Sequence, residues 1–334
     1  MKVIVEGFGG DNAPAEIVKG VGLALMQYPA LEVIISGRQA ELEELLKAEK
    51  ADLTRITILD ASEVISCEES PVEAIRTKKN SSLAVAFDYL KANPDCLGLV
   101  SAGSTGAVLT GAFIKLGRIK GISRPALAPT LPTLTGGKVL LTDCGANMDS
   151  TPENLCHFAL MGSEYMKLVC GIENPRVALL NVGVEDAKGN ELAKAAFPML
   201  QKLPINFVGN MEARDALSGD YDVIVADGFA GNVLLKGTEG AISTLLKLLK
   251  RGIKASFCAK IGYLFMGKVF KGLKKTMDHD AQGGSPFLGT KGLVIKAHGS
   301  SKAASIAASI GQVIEMGEAK LTEGIETALT GLKL

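Results

Sequence analysis

The sequence predicts an α/β protein built on a largely parallel sheet with helices on both faces, and three observations lead there. Short apolar runs rich in β-branched residues recur along the 334 residues, each followed by a glycine-bearing turn and a longer stretch of helical periodicity. The runs are apolar throughout instead of alternating, the pattern of strands covered on both sides. Between them, helix starts carry their own chemical marks.

In chain order, strands are predicted at Val3-Val5, Leu31-Ser36, Ile56-Leu59, Leu97-Ser101, Val139-Thr142, Val177-Asn181, Ile205-Val208, Val223-Ala226 and Leu293-Lys296. Pro14 lies just inside one helix, Ser70-Pro71 opens another, and Ser150-Thr151-Pro152-Glu153 offers a cap followed by an acid in the first turn. The longest uncharged run, Cys96 to Ile114, holds Gly98, Gly103, Gly106 and Gly111, so it reads as strand, glycine turn and helix, not as a membrane span. No repeat, low-complexity tract or Pro/Ser-rich linker interrupts the chain. Residues 1-334 are therefore read as one α/β domain, with residues 240-277 as a basic amphipathic helical insertion between the last two strands.

Composition excludes several functions. The 36 Lys plus Arg balance 36 Asp plus Glu at a pI near 6.8, which argues against general nucleic-acid binding. The balance is uneven, however. Between Gly240 and Met277 nine basic residues (Lys247, Lys250, Arg251, Lys254, Lys260, Lys268, Lys271, Lys274 and Lys275) meet no acid. That leaves 27 of the 36 basic residues to face all 36 acidic ones, a body of charge −9 beside a segment of charge +9. Six cysteines without a C-x-x-C pair and only three histidines speak against a zinc site or disulfide framework. The start, MKVIVEGFGGD, does not read as a signal peptide, and a cytoplasmic location is expected.

Ligands of doubly wound sheets bind at the C-terminal ends of strands, so the loops there carry the functional reading. Six are small, polar and glycine-rich: GFGGDNAP with Gly9, Gly10 and Asp11; SAGSTGA with Ser104, Thr105 and Gly106; DCGAN ending at Asn147; NVGVEDAKGN; DGFAGN with Asp227 and Gly231; and HGSS from His298. The first loop fails G-x-G-x-x-G, because Asn12 stands where the third glycine belongs, and Ser36-Gly37-Arg38 supplies no acid for a ribose. Neither a G-x-x-x-x-G-K-[ST] loop nor a G-x-S-x-G elbow occurs. Asp143 and Asp227 can be read as metal ligands or as acceptors for loop amides, and His298 as a site residue or a structural one. His157 and His279 fall within or after helical stretches and read as structural. Lys188 and Asn232 stand out as electrophilic stabilisers of an anion or oxyanion, against the alternatives of a solvated lysine and a helix cap.

Seven segments, GGDNAP, SAGSTGA, DCGAN, LLNVGVEDAKGN, FVGNMEARD, DGFAGNVLLKGTEG and GGSPFLGTKGLVIKAHGSS, resemble in order the signatures of the phosphate acyltransferase family (acyl-ACP:phosphate acyltransferases, PlsX type), from about Lys2 to about Ile310. The resemblance implies a fold similar to isopropylmalate dehydrogenase and phosphotransacetylase, a homodimer, and transfer of a fatty acyl group from acyl carrier protein to inorganic phosphate. The product is an acyl phosphate for phospholipid synthesis. It assigns phosphate binding and thioester activation to Lys188 and Asn232. The chain departs from the usual D-A-M-G-G-D at Glu6, Gly7 and Phe8, has Ser104 where Asn is usual, and has Ala230 where Thr is usual. Phosphate is already an anionic nucleophile and a thiol of pKa about 8.5 leaves readily, so no covalent nucleophile, metal or cofactor is expected.

On a helical wheel from Cys258 to Lys275, Ile261, Phe265 and Val269 share an apolar arc with Cys258, Met266, Phe270 and Leu273, while Lys260, Lys268, Lys271, Lys274 and Lys275 cluster opposite and Leu264 breaks the pattern. Such a helix fits an anionic membrane surface, a dimer contact, or the acidic carrier protein. The resemblance favours peripheral membrane association. Two other readings remain at this point: an enzyme of the same fold family, either a phosphotransacetylase using an acyl-coenzyme A or a metal-dependent dehydrogenase, and a non-catalytic membrane adaptor.

Overall fold

The computed structural model describes residues 1–276 and 283–332. Its strands form two sheets, where the sequence reading anticipated one. The first holds β3 (Ile56–Asp60), β2 (Glu32–Gly37), β1 (Lys2–Glu6), β4 (Cys96–Ser101), β12 (Leu293–Lys296), β11 (Ser285–Leu288) and β5 (Ala126–Leu127), in that order. The second runs β6 (Thr130–Pro132), β7 (Lys138–Thr142), β10 (Val223–Val225), β8 (Arg176–Asn181), β9 (Asn206–Glu212). All nine predicted strands are present, and every pairing among them is parallel. The three further strands, β5, β6 and β11, are short and pair antiparallel at the facing ends of the sheets. The chain crosses from one sheet to the other between β5 and β6.

Helix starts follow their caps. Helix α6 (Pro152–Leu168) opens with a reciprocal capping box in which Thr151 accepts from the Asn154 amide and Asn154 from that of Thr151. Helix α3 (Pro71–Thr77) begins at Pro71, and α1 (Ala15–Gln27) one residue after Pro14, which serves as its cap. One buried cluster joins the sheets: Val5 and Val100 of the first, Leu140 and Val223 of the second, Phe158 and Met161 of α6, and Ile306 and Ile310 of α11 (Ala303–Glu318).

The basic segment is helical from further back than anticipated. Helix α8 runs unbroken from Gly228 to Ala255, and only Gly228 and Gly231 of it are buried. Helices α9 (Phe257–Phe265) and α10 (Gly267–Thr276) follow, so the single wheel drawn through Cys258–Lys275 is interrupted at Met266. Phe257, Leu264 and Phe265 are each more than three-quarters exposed. Ile261, Val269 and Lys268 are exposed as well. Tyr263 and Phe270 stack across the break with ring centroids 4.9 Å apart. The side chains of Lys271, Leu273, Lys274 and Lys275 lie outside the described residues, as do Met277 and His279 entirely. No described helix is long and apolar enough to cross a membrane.

Candidate active site

Parallel strands deliver their C-terminal loops to one edge, and where two sheets face each other those loops enclose a space between them. Here it is a cleft of about 690 Å³. The first sheet contributes Thr105 after β4, Ser285 of β11, and Lys296, Ala297 and His298 at the end of β12. The second contributes Leu131 of β6 and Cys144 and Gly145 after β7. Helix α8 closes the cleft with Asn232, Leu235, Lys236, Glu239 and Ser243.

The DGFAGN spacing explains why α8 sits there. A Cβ on Gly228 would meet the Asn147 carbonyl oxygen at 2.4 Å, and one on Gly231 the Asp143 carbonyl oxygen at 2.0 Å. Two glycines one turn apart thus let the first turn of α8 lie on the loop after β7. Asp227 caps the helix by accepting from the Ala230 amide at 2.8 Å. Asn232, one residue past the second glycine, is placed beside Gly145, and among the described residues its amide has no hydrogen-bond partner.

Asp143 organises the loop below. Its fully buried carboxylate accepts from the backbone amides of Leu127, Cys144, Ala146 and Asn147 and from the Asn147 side chain. Burial pushes this carboxyl up and the donors pull it back. Both oxygens accept N–H bonds, which opposes the upward shift that burial imposes. Asp143 is therefore an acceptor for loop amides, and Asn147, bonded to it and to the Pro125 carbonyl, shares that task.

The first loop stands behind His298. Asp11 donates its amide to the Gly299 carbonyl at 2.8 Å, and the Asn12 side chain bonds the Ser300 and Ser301 carbonyls. Gly9 and Gly10 let this loop touch residues 102–103 after β4, where a Cβ on Gly9 would be 2.6 Å from the Gly103 nitrogen. Gly106 packs its helix turn on Pro71, and Ser104 precedes that turn without a side-chain cap bond. Of the departures, Glu6 is buried and accepts from Ser82 at 2.9 Å and from Ser101, and Phe8 is buried with Arg38 stacked on it at 4.3 Å. Both lie behind the loops instead of in the cleft wall.

His298 forms part of the wall. Its Nδ1 lies 2.8 Å from Ser300 Oγ and accepts the Ser300 amide at 3.3 Å, which puts the ring proton on Nε2. Burial and the neighbouring Lys236 and Lys296 ammoniums push its pKa down, so the ring is a neutral donor near pH 7. Lys236 is paired with Glu239 at 2.8 Å.

Of the residues expected at the site, the cleft brings together Thr105, Asn232 and His298. Gly9, Gly10, Asp11, Asn147, Asp227 and Gly231 support it from behind. Lys188 follows the neighbouring strand β8 in an exposed loop, outside the cleft lining. Lys296 was not anticipated. In the sequence it closes the apolar strand Leu293-Lys296, and a charge ending the run of Leu293, Val294 and Ile295 is the signal available there.

A family profile described as "Fatty acid synthesis protein" matches residues 1–323. A phosphate acyltransferase from Exiguobacterium sp. (strain ATCC BAA-1283 / AT1b) is 45% identical over 330 residues, covering 98% of this chain and 99% of its own. The chain belongs to the phosphate acyltransferase family. A phosphate acyltransferase of Clostridium perfringens (strain ATCC 13124) is 44% identical over 331 residues, covering 99% of this chain and 97% of its own. The enzyme is thus an acyltransferase. In fold it is similar to a phosphotransacetylase from Streptococcus pyogenes, at a TM-score of 0.62 and 19% identity over 96% of this chain and 94% of that one.

Proposed function

We propose that the enzyme transfers a fatty acyl group from acyl carrier protein to inorganic phosphate and releases acyl phosphate for phospholipid synthesis. The observation that carries this reading is the make-up of the cleft: ammonium groups and neutral donors together with Leu127, Leu131 and Leu235, and no activated nucleophile among the described residues. Cys144 is the thiol in the wall, and burial pushes it up to about 12, leaving it inert as a thiolate. The reaction must then rest on aligning the two substrates.

A phosphate oxygen attacks the thioester carbon, the new C–O bond forms, and the carbonyl oxygen becomes an oxyanion. The unpartnered Asn232 amide and the His298 Nε2–H are the neutral donors suited to that oxyanion, each worth about 3 kcal/mol when aimed at it. Collapse breaks the C–S bond, and the carrier leaves as a thiolate that takes a proton from water. Lys188 is read, through the family resemblance, as a phosphate ligand reached from the loop after β8. The exposed apolar face of α9 and α10 and the +9 charge support peripheral association with the inner face of an anionic membrane.

Incubation with acyl carrier protein thioester and phosphate, followed by trapping with hydroxylamine, tests the reading. Acyl hydroxamate formed only when enzyme, thioester and phosphate are all present is the expected result. Product from acyl-coenzyme A but none from the carrier thioester would instead make this a phosphotransacetylase. Lys188→Ala is expected to lose activity by orders of magnitude with an unchanged thermal midpoint.

A further inference from the structure

A buried ammonium is stable only when other charges or dipoles replace its lost water. Lys296 is 8% exposed at the end of β12, in the wall of the cleft beside His298 and near Thr105 and Asn232. Its Nζ donates to the carbonyl oxygens of Ala102, at 3.4 Å, and of Ala297. Two acceptors for three donors leave one N–H without a partner. The carboxyl that acts on it most strongly, Glu6, is bonded to Ser82 and Ser101. The other ammonium in the wall, Lys236, has Glu239. Among the described residues lining the cleft, Lys296 is the cation with no carboxylate in ion-pair contact.

A lysine needed only to finish a strand would extend to solvent or pair with an acid. This one is withdrawn from solvent, fixed by two carbonyl dipoles and left short of a counter-ion where it lines the cleft. We propose that Lys296 is a phosphate-binding residue, whose ammonium takes the attacking phosphate as its counter-ion and holds it against the wall formed by His298 and Thr105. The proposal rests on the acyl-transfer reading above and adds a second cationic ligand to Lys188. Burial, with a small addition from the Lys236 ammonium of α8, pushes the Lys296 pKa down to about 8 against the opposing pull of Glu6, Cys67 and Asp11. A bound phosphate dianion supplies the missing charge and restores full protonation.

The test uses Lys296→Met, which removes the charge, and Lys296→Gln, which keeps N–H donors for the two carbonyls. Both variants are expected to fold. Their KM for phosphate rises at least about tenfold, while KM for the thioester stays within about twofold. Phosphate added alone raises the thermal midpoint of the wild type near pH 7 and less so near pH 9, and raises that of either variant clearly less than the wild type's at pH 7. An unchanged KM for phosphate together with an undiminished thermal shift in the Gln variant overturns the proposal. If the wild type makes no acyl phosphate yet shows Lys296-dependent stabilisation by phosphate, the acyl-transfer reading falls and the anion site stands.

Discussion

The Asp143 carboxylate takes five N–H bonds from the loop that seats the first turn of α8. Asp143→Asn would turn a donor toward donors in a fully buried place. We expect a loss of about 3 kcal/mol, read as a lower urea midpoint at unchanged slope. The Lys296 charge opposes folding, because burial outweighs the partners it finds. Its pKa falls from 10.5 in the unfolded chain to about 8 in the fold. The folded state therefore binds fewer protons between those values, so stability rises as pH climbs through that window and is lost as pH falls through about 8. The interval is worth about 3 kcal/mol at 1.36 per unit. Lys296→Met should be more stable than the wild type near pH 7, with the gap closing by about pH 10.5; a gap independent of pH would show the ammonium to be solvated. Thr105, Asn232 and His298 were legible because motif loops at strand ends announce themselves. Lys296 was not, since only the fold sets Ala102 and Ala297 around its side chain.

Secondary structure was legible where the pattern was long enough to carry it. The nine parallel strands announce themselves as apolar runs, whereas β5, β6 and β11 span two to four residues, with prolines in or beside them at Pro125, Pro132 and Pro286. Their antiparallel pairings divide one expected sheet into two and so create the cleft, which no periodicity could report. Helix packing gives a sharper test. Gly20 and Gly22 both lie in α1, and only the first faces α11, where an added Cβ would be 2.6 Å from Ile306 Cβ. Around Gly22 nothing lies within 4 Å. Gly22→Ala is expected to raise stability by about 0.5–1 kcal/mol through helix propensity, and Gly20→Ala to lower it by about 1–3 kcal/mol through overpacking. Equal effects in chemical denaturation would mean that α1 and α11 do not pack as described.

At the scale of the molecule, helix α8 ties the +9 segment to the cleft. Helix α8 begins against Asp143, lines the cleft as far as Ser243, and continues to Ala255. Those last twelve residues carry it about 18 Å further. Whatever grips the basic end therefore sits one continuous helix away from the cleft. An acidic carrier would be held by the lysines alone. A membrane would also bury the apolar side chains, among which Phe265 is 86% exposed, the most open of those described. The two partners thus differ in what Phe265→Glu does. We expect the wild type to float with anionic vesicles at low salt, to be released from them as salt screens the lysines, and to lose at least about tenfold in partitioning with Phe265→Glu at an unchanged thermal midpoint. Flotation that ignores the substitution, or that is equal on neutral vesicles, would reassign the segment to the carrier.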